Sequence, residues 1–278
     1  TPPSSAPTTA GHSPAFFATT PTEGTEPWVT DGTAAGTVLL ADLIPGVTSS
    51  AVNYPTTPSL SSRWLPLGNA LYTRATERLG NTRGRTDGTP DGTQRVFSAE
   101  HISVGPELVG GQLLFAAQNK LYVSDGTAAG TSSSVTMSCT PLSVTGVASF
   151  ALLACRSSSD FVTRPWASDG SLAGTVLLVD AGVYSASSTP AVTAVGTRAF
   201  FFVSASSNLQ LWSSDGTTGG TTLVADLPGL SSVSQLVASG ALLYFNAGGN
   251  LWVSDGTAAG THAIRSLSGK FAPLAPQG

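Results

Sequence analysis

A seven-residue phrase recurs six times along this chain of 278 residues. It reads DGTAAGT at 31–37, DGTPDGT at 87–93, DGTAAGT at 125–131, DGSLAGT at 169–175, DGTTGGT at 215–221 and DGTAAGT at 255–261. Every copy keeps Asp first, Gly second, Gly sixth and Thr seventh, with Asp-to-Asp intervals of 56, 38, 44, 46 and 40 residues. Periods of this size mark an array of supersecondary units that stack to share a core. Each fixed residue has a physical task. The carboxylates of Asp31, Asp87, Asp125, Asp169, Asp215 and Asp255 are placed to accept backbone N–H groups just ahead of them, closing an Asx-type turn. The Gly that follows takes φ > 0 without a Cβ clash. The second Gly allows another tight reversal, and the Thr hydroxyl can satisfy carbonyls left over by the turn.

The flanks repeat as well. Three residues before the turn Asp stand Trp28, Tyr122, Trp166, Trp212 and Trp252, with Gly84 in the second copy. The alternation in LYVSD and LWVSD marks a strand with one buried face, and the aromatics are expected to pack between units. A further strand follows each turn, as in VLLADL, VLLVDA and TLVADL, and two apolar strands precede each aromatic strand. Four antiparallel strands in about 44 residues is the size of a propeller blade. The expected fold is therefore all-β, a six-bladed β-propeller over residues 14–278. Residues 1–13, rich in Thr, Pro and Ser, read as a flexible leader or tether. Only two strands are expected before the first turn, so residues 271–278 (FAPLAPQG) are expected to close the ring by completing the first blade.

Composition agrees with this architecture. Charged residues are 10% and hydrophobic residues 41%, with 31 Gly, which suits short strands and many turns. The net charge of −4 gives no basic field for nucleic acid. No apolar run reaches the roughly 18 residues needed for a transmembrane helix. Cys139 and Cys155 flank an expected hairpin turning near Gly146 and Val147, so a disulfide is geometrically open to them, beside the alternative of two buried thiols. A disulfide would imply an oxidising compartment.

The sequence 251–261, LWVSDGTAAGT, resembles the ELWxxDGTxxGT repeat of secreted and surface-attached bacterial proteins. The likeness runs through essentially the whole chain after the leader, but the leading Glu survives only as Glu26; Lys120, Arg164, Gln210 and Asn250 replace it. The turn is also similar to the Asp-box of sialidase-like propellers. The resemblance implies a bacterial, exported propeller and carries over no catalytic residues.

Chemistry is sparse. Ten of the 16 acids belong to turns or recur with them, among them Asp42, Asp180 and Asp226. Glu100, His101 and Glu107 form one local cluster suited to acid–base work. No GxSxG, HExxH or P-loop pattern occurs, and nothing calls for a metal or cofactor. Irregularity is more informative, because function is expected where repeat rules fail. Arg63, Arg74, Arg78, Arg83, Arg85 and Arg95 are half of the 12 basic residues, and Arg suits bidentate capture of anions. Tyr54 and Trp64 stand near them and could stack on a sugar. A second irregular loop, 157–164, carries Asp160, Phe161 and Arg164. Both loops, with the long connection 45–62, are expected on the face opposite the turns. The reading is a non-catalytic, exported binding or adhesion scaffold for an anionic glycan or a partner protein at the cell surface. The alternative is a glycan-active propeller enzyme using carboxylates near its axis.

Overall fold

The computed structural model describes residues 8–10, 13–43, 64–77, 80–99, 102–180, 182–184, 192–205 and 208–266. Every regular element in them is a strand. The chain divides into two compact units, Thr1–Thr136 and Met137–Gly278.

The first unit holds three antiparallel sheets. The first is Thr8–Ala10, Ser13–Thr20, Gly24–Val29 and Val38–Leu39 (β1–β4); the second is Leu65–Leu67, Ala70–Glu77, Gly80–Thr86 and Gln94–Ala99 (β5–β8). The third is Ile102–Val109, Gln112–Ala117, Lys120–Ser124 and Thr131–Thr136 (β9–β12). The second unit repeats the plan. Its fourth sheet is Cys139–Val147, Phe150–Ser157, Thr163–Ser168 and Val176–Leu177 (β13–β16). The fifth is Val183–Tyr184, Val192–Val195, Arg198–Ala205, Asn208–Ser214 and Thr222–Leu227 (β17–β21), where β17 and β18 both pair with β19. The sixth is Val233–Ser239, Leu242–Ala247, Asn250–Ser254 and His262–Ser266 (β22–β25). The strand order expected from sequence holds, with the DGT turn joining the last two strands of each sheet; the fifth sheet adds a strand, because β17 and β18 share the edge of β19.

The first sheet differs from expectation in one respect. It reaches four strands with Thr8–Ala10, which pairs with Ser13–Thr20 and lies inside the stretch read as a leader. The pairing is a local hairpin, which closes a short loop at little entropic cost. Residues 271–278 lie outside the described residues.

Consecutive sheets within a unit share apolar cores. Ala15 and Phe17 of the first sheet pack with Trp64 and Leu71 beside and within the second. Tyr72 and Val96 of the second meet Leu113 of the third. In the second unit, Leu152 and Ala154 join Phe201 and Val203, and Leu209 and Leu211 join Leu243 and Phe245. The repeated aromatics take part in two ways. Tyr122 stacks on Phe115 at 5.3 Å and Trp252 on Phe245 at 5.9 Å, each within its own sheet. Trp212 and Trp252 also pack against the clusters that join neighbouring sheets, as expected.

All six turns share one hydrogen-bond pattern. In the copy at 125–131, Asp125 Oδ1 accepts from the N–H and the hydroxyl of Thr127, both at 2.8 Å. The Thr127 hydroxyl accepts from Gly130 N–H, and the Thr131 hydroxyl donates to Thr127 C=O. The Ser124 hydroxyl accepts from Gly126 N–H at 3.0 Å and meets Thr131 Oγ1 at 2.6 Å. Because the Thr131 proton is committed to a carbonyl, Ser124 is the donor in that pair. The hydroxyl before the Asp is therefore a fifth fixed position, filled by Thr30, Thr86, Ser124, Ser168, Ser214 and Ser254.

These bonds hold all six turn carboxyls below their ordinary value of 3.8. The main cause is the hydroxyl two residues on, except at Asp31, where the backbone N–H of Thr33 comes first. A lowered folded-state pKa adds stability above the unfolded value, and this is lost as pH falls through the folded one. Asn keeps the acceptor oxygen and removes the charge. Asp125→Asn and Asp255→Asn are expected to be less stable than wild type at pH 7, with the gap closing below about pH 3.8. Melting temperatures at pH 7, 3 and 2 test this; a gap that persists at pH 2 would show that charge is not the cause.

Candidate functional site

The second irregular loop borders a polar cavity. It follows β14 and precedes β15, as expected. Ser157 N–H donates to Val162 C=O at 3.0 Å, Val162 N–H donates to Asp160 Oδ1, and Ser157 and Ser159 hydroxyls meet at 2.9 Å. Phe161 at the tip takes φ +58° and is 73% exposed. That is the left-handed region, disfavoured for a bulky side chain, so the surrounding bonds hold the loop in a form Phe would not choose.

Arg164 ties this loop to the end of the fourth strand. Its Nη1 and Nη2 donate to the two oxygens of Asp160 at 3.2 and 2.7 Å. Its Nε lies 2.7 Å from Asp180 Oδ1. The bidentate fork is the strongest geometry for this pair, and it holds the Asp160 carboxyl far below the usual range, chiefly through the Arg164 hydrogen bonds. The same partners raise the guanidinium. Arg164 is 19% exposed in its side chain, whereas Asp180 is 78% exposed. Two carboxylates against one guanidinium leave the trio at net −1.

The trio edges a cavity of about 320 Å³, whose lining includes Ser157, Ser158, Ser159 and Trp166. The Cys139–Cys155 disulfide lines it too, with a Cα separation of 5.6 Å. The bridge forms as the sequence allowed, but in a different register. The hairpin turns at Ala148 and Ser149, so Cys139 faces Ser157 and Pro141 faces Cys155, with a bulge between Pro141 and Ser143. Pro141 donates no N–H and sits on an edge strand, where ladders tolerate it.

Several expected site residues take other roles. Trp64 is buried and stacks on Phe17 at 5.2 Å; it is a core residue with no face for a sugar. Arg85 donates from Nη1 to Gly92 C=O at 3.2 Å and so braces its own turn. Arg164, expected as an anion binder, is committed to Asp160 and Asp180. Arg74 and Arg83 are directly opposed Cα partners on β6 and β7, and their side chains lie outside the described residues. Tyr54, Arg78, Glu100, His101 and the connection 45–62 also lie outside them. Among the described residues no three His, Cys, Asp or Glu side chains gather as a metal site.

The position of the leading Glu has a role that sequence reasoning left open. Glu26 is fully buried and accepts from Leu43 N–H at 3.0 Å. Arg164 occupies the same place in the fourth sheet and reaches Asp180. In both, a side chain of the third strand ties down the chain just beyond the fourth. Of the acids that recur eleven residues after a turn Asp, Asp42, Asp180 and Asp226, Asp180 meets that side chain, whereas Glu26 bonds the Leu43 backbone and Asp226 accepts from Asn208.

The fold and site define an all-β protein of repeated four-stranded antiparallel sheets, with a loop-bordered cavity on the fourth. No protein-family profile matches the chain, and no curated protein does. Solved structures do. The tricorn protease is similar at 12% identity and a TM-score of 0.39, over 96% of this chain and 26% of that one. TolB from Acinetobacter baumannii is similar at 13% identity and a TM-score of 0.41, over 92% of this chain and 64% of that one. The β-propeller domain of the Trilobed protease from Pyrococcus furiosus is similar at 12% identity and a TM-score of 0.43, over 96% and 85%. This chain thus spans about a quarter of the first and under two thirds of the second. Nothing about activity is carried over from them.

Proposed function

We propose that the chain is a non-catalytic, exported binding scaffold: a six-bladed β-propeller of the ELWxxDGT-repeat class that captures a glycan or a partner at its irregular loops. The observation that carries this reading is the Asp160–Arg164–Asp180 lock at the mouth of a cavity, in a loop that the repeat does not require. Binding residues concentrate on loops positioned by a rigid scaffold. The recurrent acids support the non-catalytic part, because each turn carboxylate is engaged inside its own turn. The disulfide supports export, since such bonds persist in oxidising compartments. Six antiparallel sheets, each ending in a strand that follows a DGT turn, support six blades.

Affinity electrophoresis through gels containing neutral or anionic polysaccharides, with a reducing-end assay on the same mixtures, tests the reading. Retardation without new reducing ends is expected, and Arg164→Ala is expected to lose it. Arg78→Ala/Arg83→Ala/Arg85→Ala in one variant reports separately on the basic loop. Release of reducing ends by the purified protein would overturn the non-catalytic assignment.

A further inference from the structure

Trp166 departs from the rule its counterparts follow. Trp28, Tyr122, Trp212 and Trp252 each stand opposite a Phe on the neighbouring strand: Phe16, Phe115, Phe201 and Phe245. Trp166 stands opposite Leu153. Tyr122 and Trp252 use that neighbour as a stacking partner, and the indole N–H groups of Trp212 and Trp252 are hydrogen-bonded to Gln210 and Ala247. Among the described residues, Trp166 has neither a ring partner nor a hydrogen bond, a condition it shares with Trp28, whose indole N–H is buried without a partner. The place of Trp166 in the fold is the wall of the cavity.

The rest of that wall is polar in a particular way. Ser157, Ser158 and Ser159 bring hydroxyls, which both donate and accept, and Asp180 brings a largely exposed carboxylate. The one cation of that lining among the described residues, Arg164, already spends Nε, Nη1 and Nη2 on Asp160 and Asp180. A uronate, sulfate or phosphate would therefore meet net negative charge with no free positive partner. An uncharged pyranose fits each element. Its C–H face lies against an indole, its hydroxyls reach serines and a carboxylate, and about 320 Å³ sits at the small end of ligand pockets, which run about 300–1,000 Å³.

We propose that the cavity beside Trp166 binds one unit of an uncharged saccharide, with Trp166 as the stacking platform and Asp180 and the 157–159 serines as hydroxyl partners. Arg164 is a positioning residue that holds Asp160 and Asp180 in place. The proposal rests on the binding-scaffold reading and specifies its ligand as an uncharged glycan, in place of the anionic one expected from sequence.

Titration calorimetry of the whole protein with cellotetraose, maltotetraose, mannotetraose, chitotetraose and tetragalacturonate tests it. At least one uncharged tetrasaccharide is expected to bind, with tetragalacturonate at least about ten-fold weaker. Asp180→Ala is expected to weaken binding about ten-fold, with a fall in melting temperature of no more than a few degrees, the scale of an exposed ion pair. Trp166→Phe is expected to keep most of the affinity and Trp166→Ala to lose it. Absence of heat with all four uncharged sugars, tighter binding of tetragalacturonate, or equal affinity in wild type and Asp180→Ala would each overturn the proposal. Tighter tetragalacturonate binding would leave the scaffold reading standing. Release of new reducing ends from a bound sugar would remove that reading while leaving the saccharide site.

Discussion

Gly216→Ala is expected to destabilise the protein by about 2–6 kcal/mol, roughly twice the loss at the equivalent Gly32. Two costs add. Gly216 has φ +95°, a conformation that holds L side chains only under strain, at about 1–3 kcal/mol. An added Cβ would also stand 2.8 Å from Phe150 Cγ. Phe150 is buried in the core shared by the fourth and fifth sheets, so its ring has no room to retreat, and overpacking costs a further 1–3 kcal/mol or so. The turn of the fifth sheet thus sits on an aromatic of the fourth. Two other second-position glycines separate the terms. Gly32 has φ +91° with nothing within 4 Å of the added Cβ, and Gly256 has φ +90° with Phe200 Cζ at 3.2 Å. Urea denaturation of the three Ala variants is expected to rank Gly32, Gly256 and Gly216 in order of increasing loss. Equal losses would mean that the ring contact contributes nothing and the backbone strain is the whole effect.

Opening the Cys139–Cys155 bridge is expected to cost about 3 kcal/mol, the loop-closure value for a separation near 15 residues. The separation here is 16. The cost has a functional side. Both sulfurs line the cavity of the 157–164 loop, and the bridge spans the hairpin end from which that loop leaves. The double variant Cys139→Ser/Cys155→Ser is expected to unfold at lower urea and to exchange amide protons faster across 156–163. Exchange that rises evenly through the second unit would show that the bridge stabilises the hairpin without organising the loop.

The repeat is where the sequence is most readable. Asp, Gly, Gly and Thr at fixed offsets led directly to an Asx-type turn, and the same atoms close it in every copy. The hydroxyl before the Asp was equally visible, as Thr30, Thr86, Ser124, Ser168, Ser214 and Ser254, but its task emerges only when Thr131 and its equivalents are seen to spend their protons on a carbonyl. The cysteine pair was readable as a hairpin staple; the bulge at Pro141 and the resulting register were not. Asp160 and Arg164, four residues apart, could be suspected of pairing. Asp180, which takes the third contact from Arg164, could not be inferred as its partner.

What the sequence alone determined about this protein is its turns, its four-strand unit and its all-β class. These arise from contacts within about ten residues or from strict alternation, so the order of residues along the chain contains them. The tertiary structure decided which side chains remain available. Trp64 vanished into a core because Phe17 comes from a different sheet; Trp166 is half-buried on a cavity wall and stands opposite Leu153, where other strands carry Phe. Burial and charge pairing depend on every neighbour that packing assembles, and those neighbours come from strands distant in the chain.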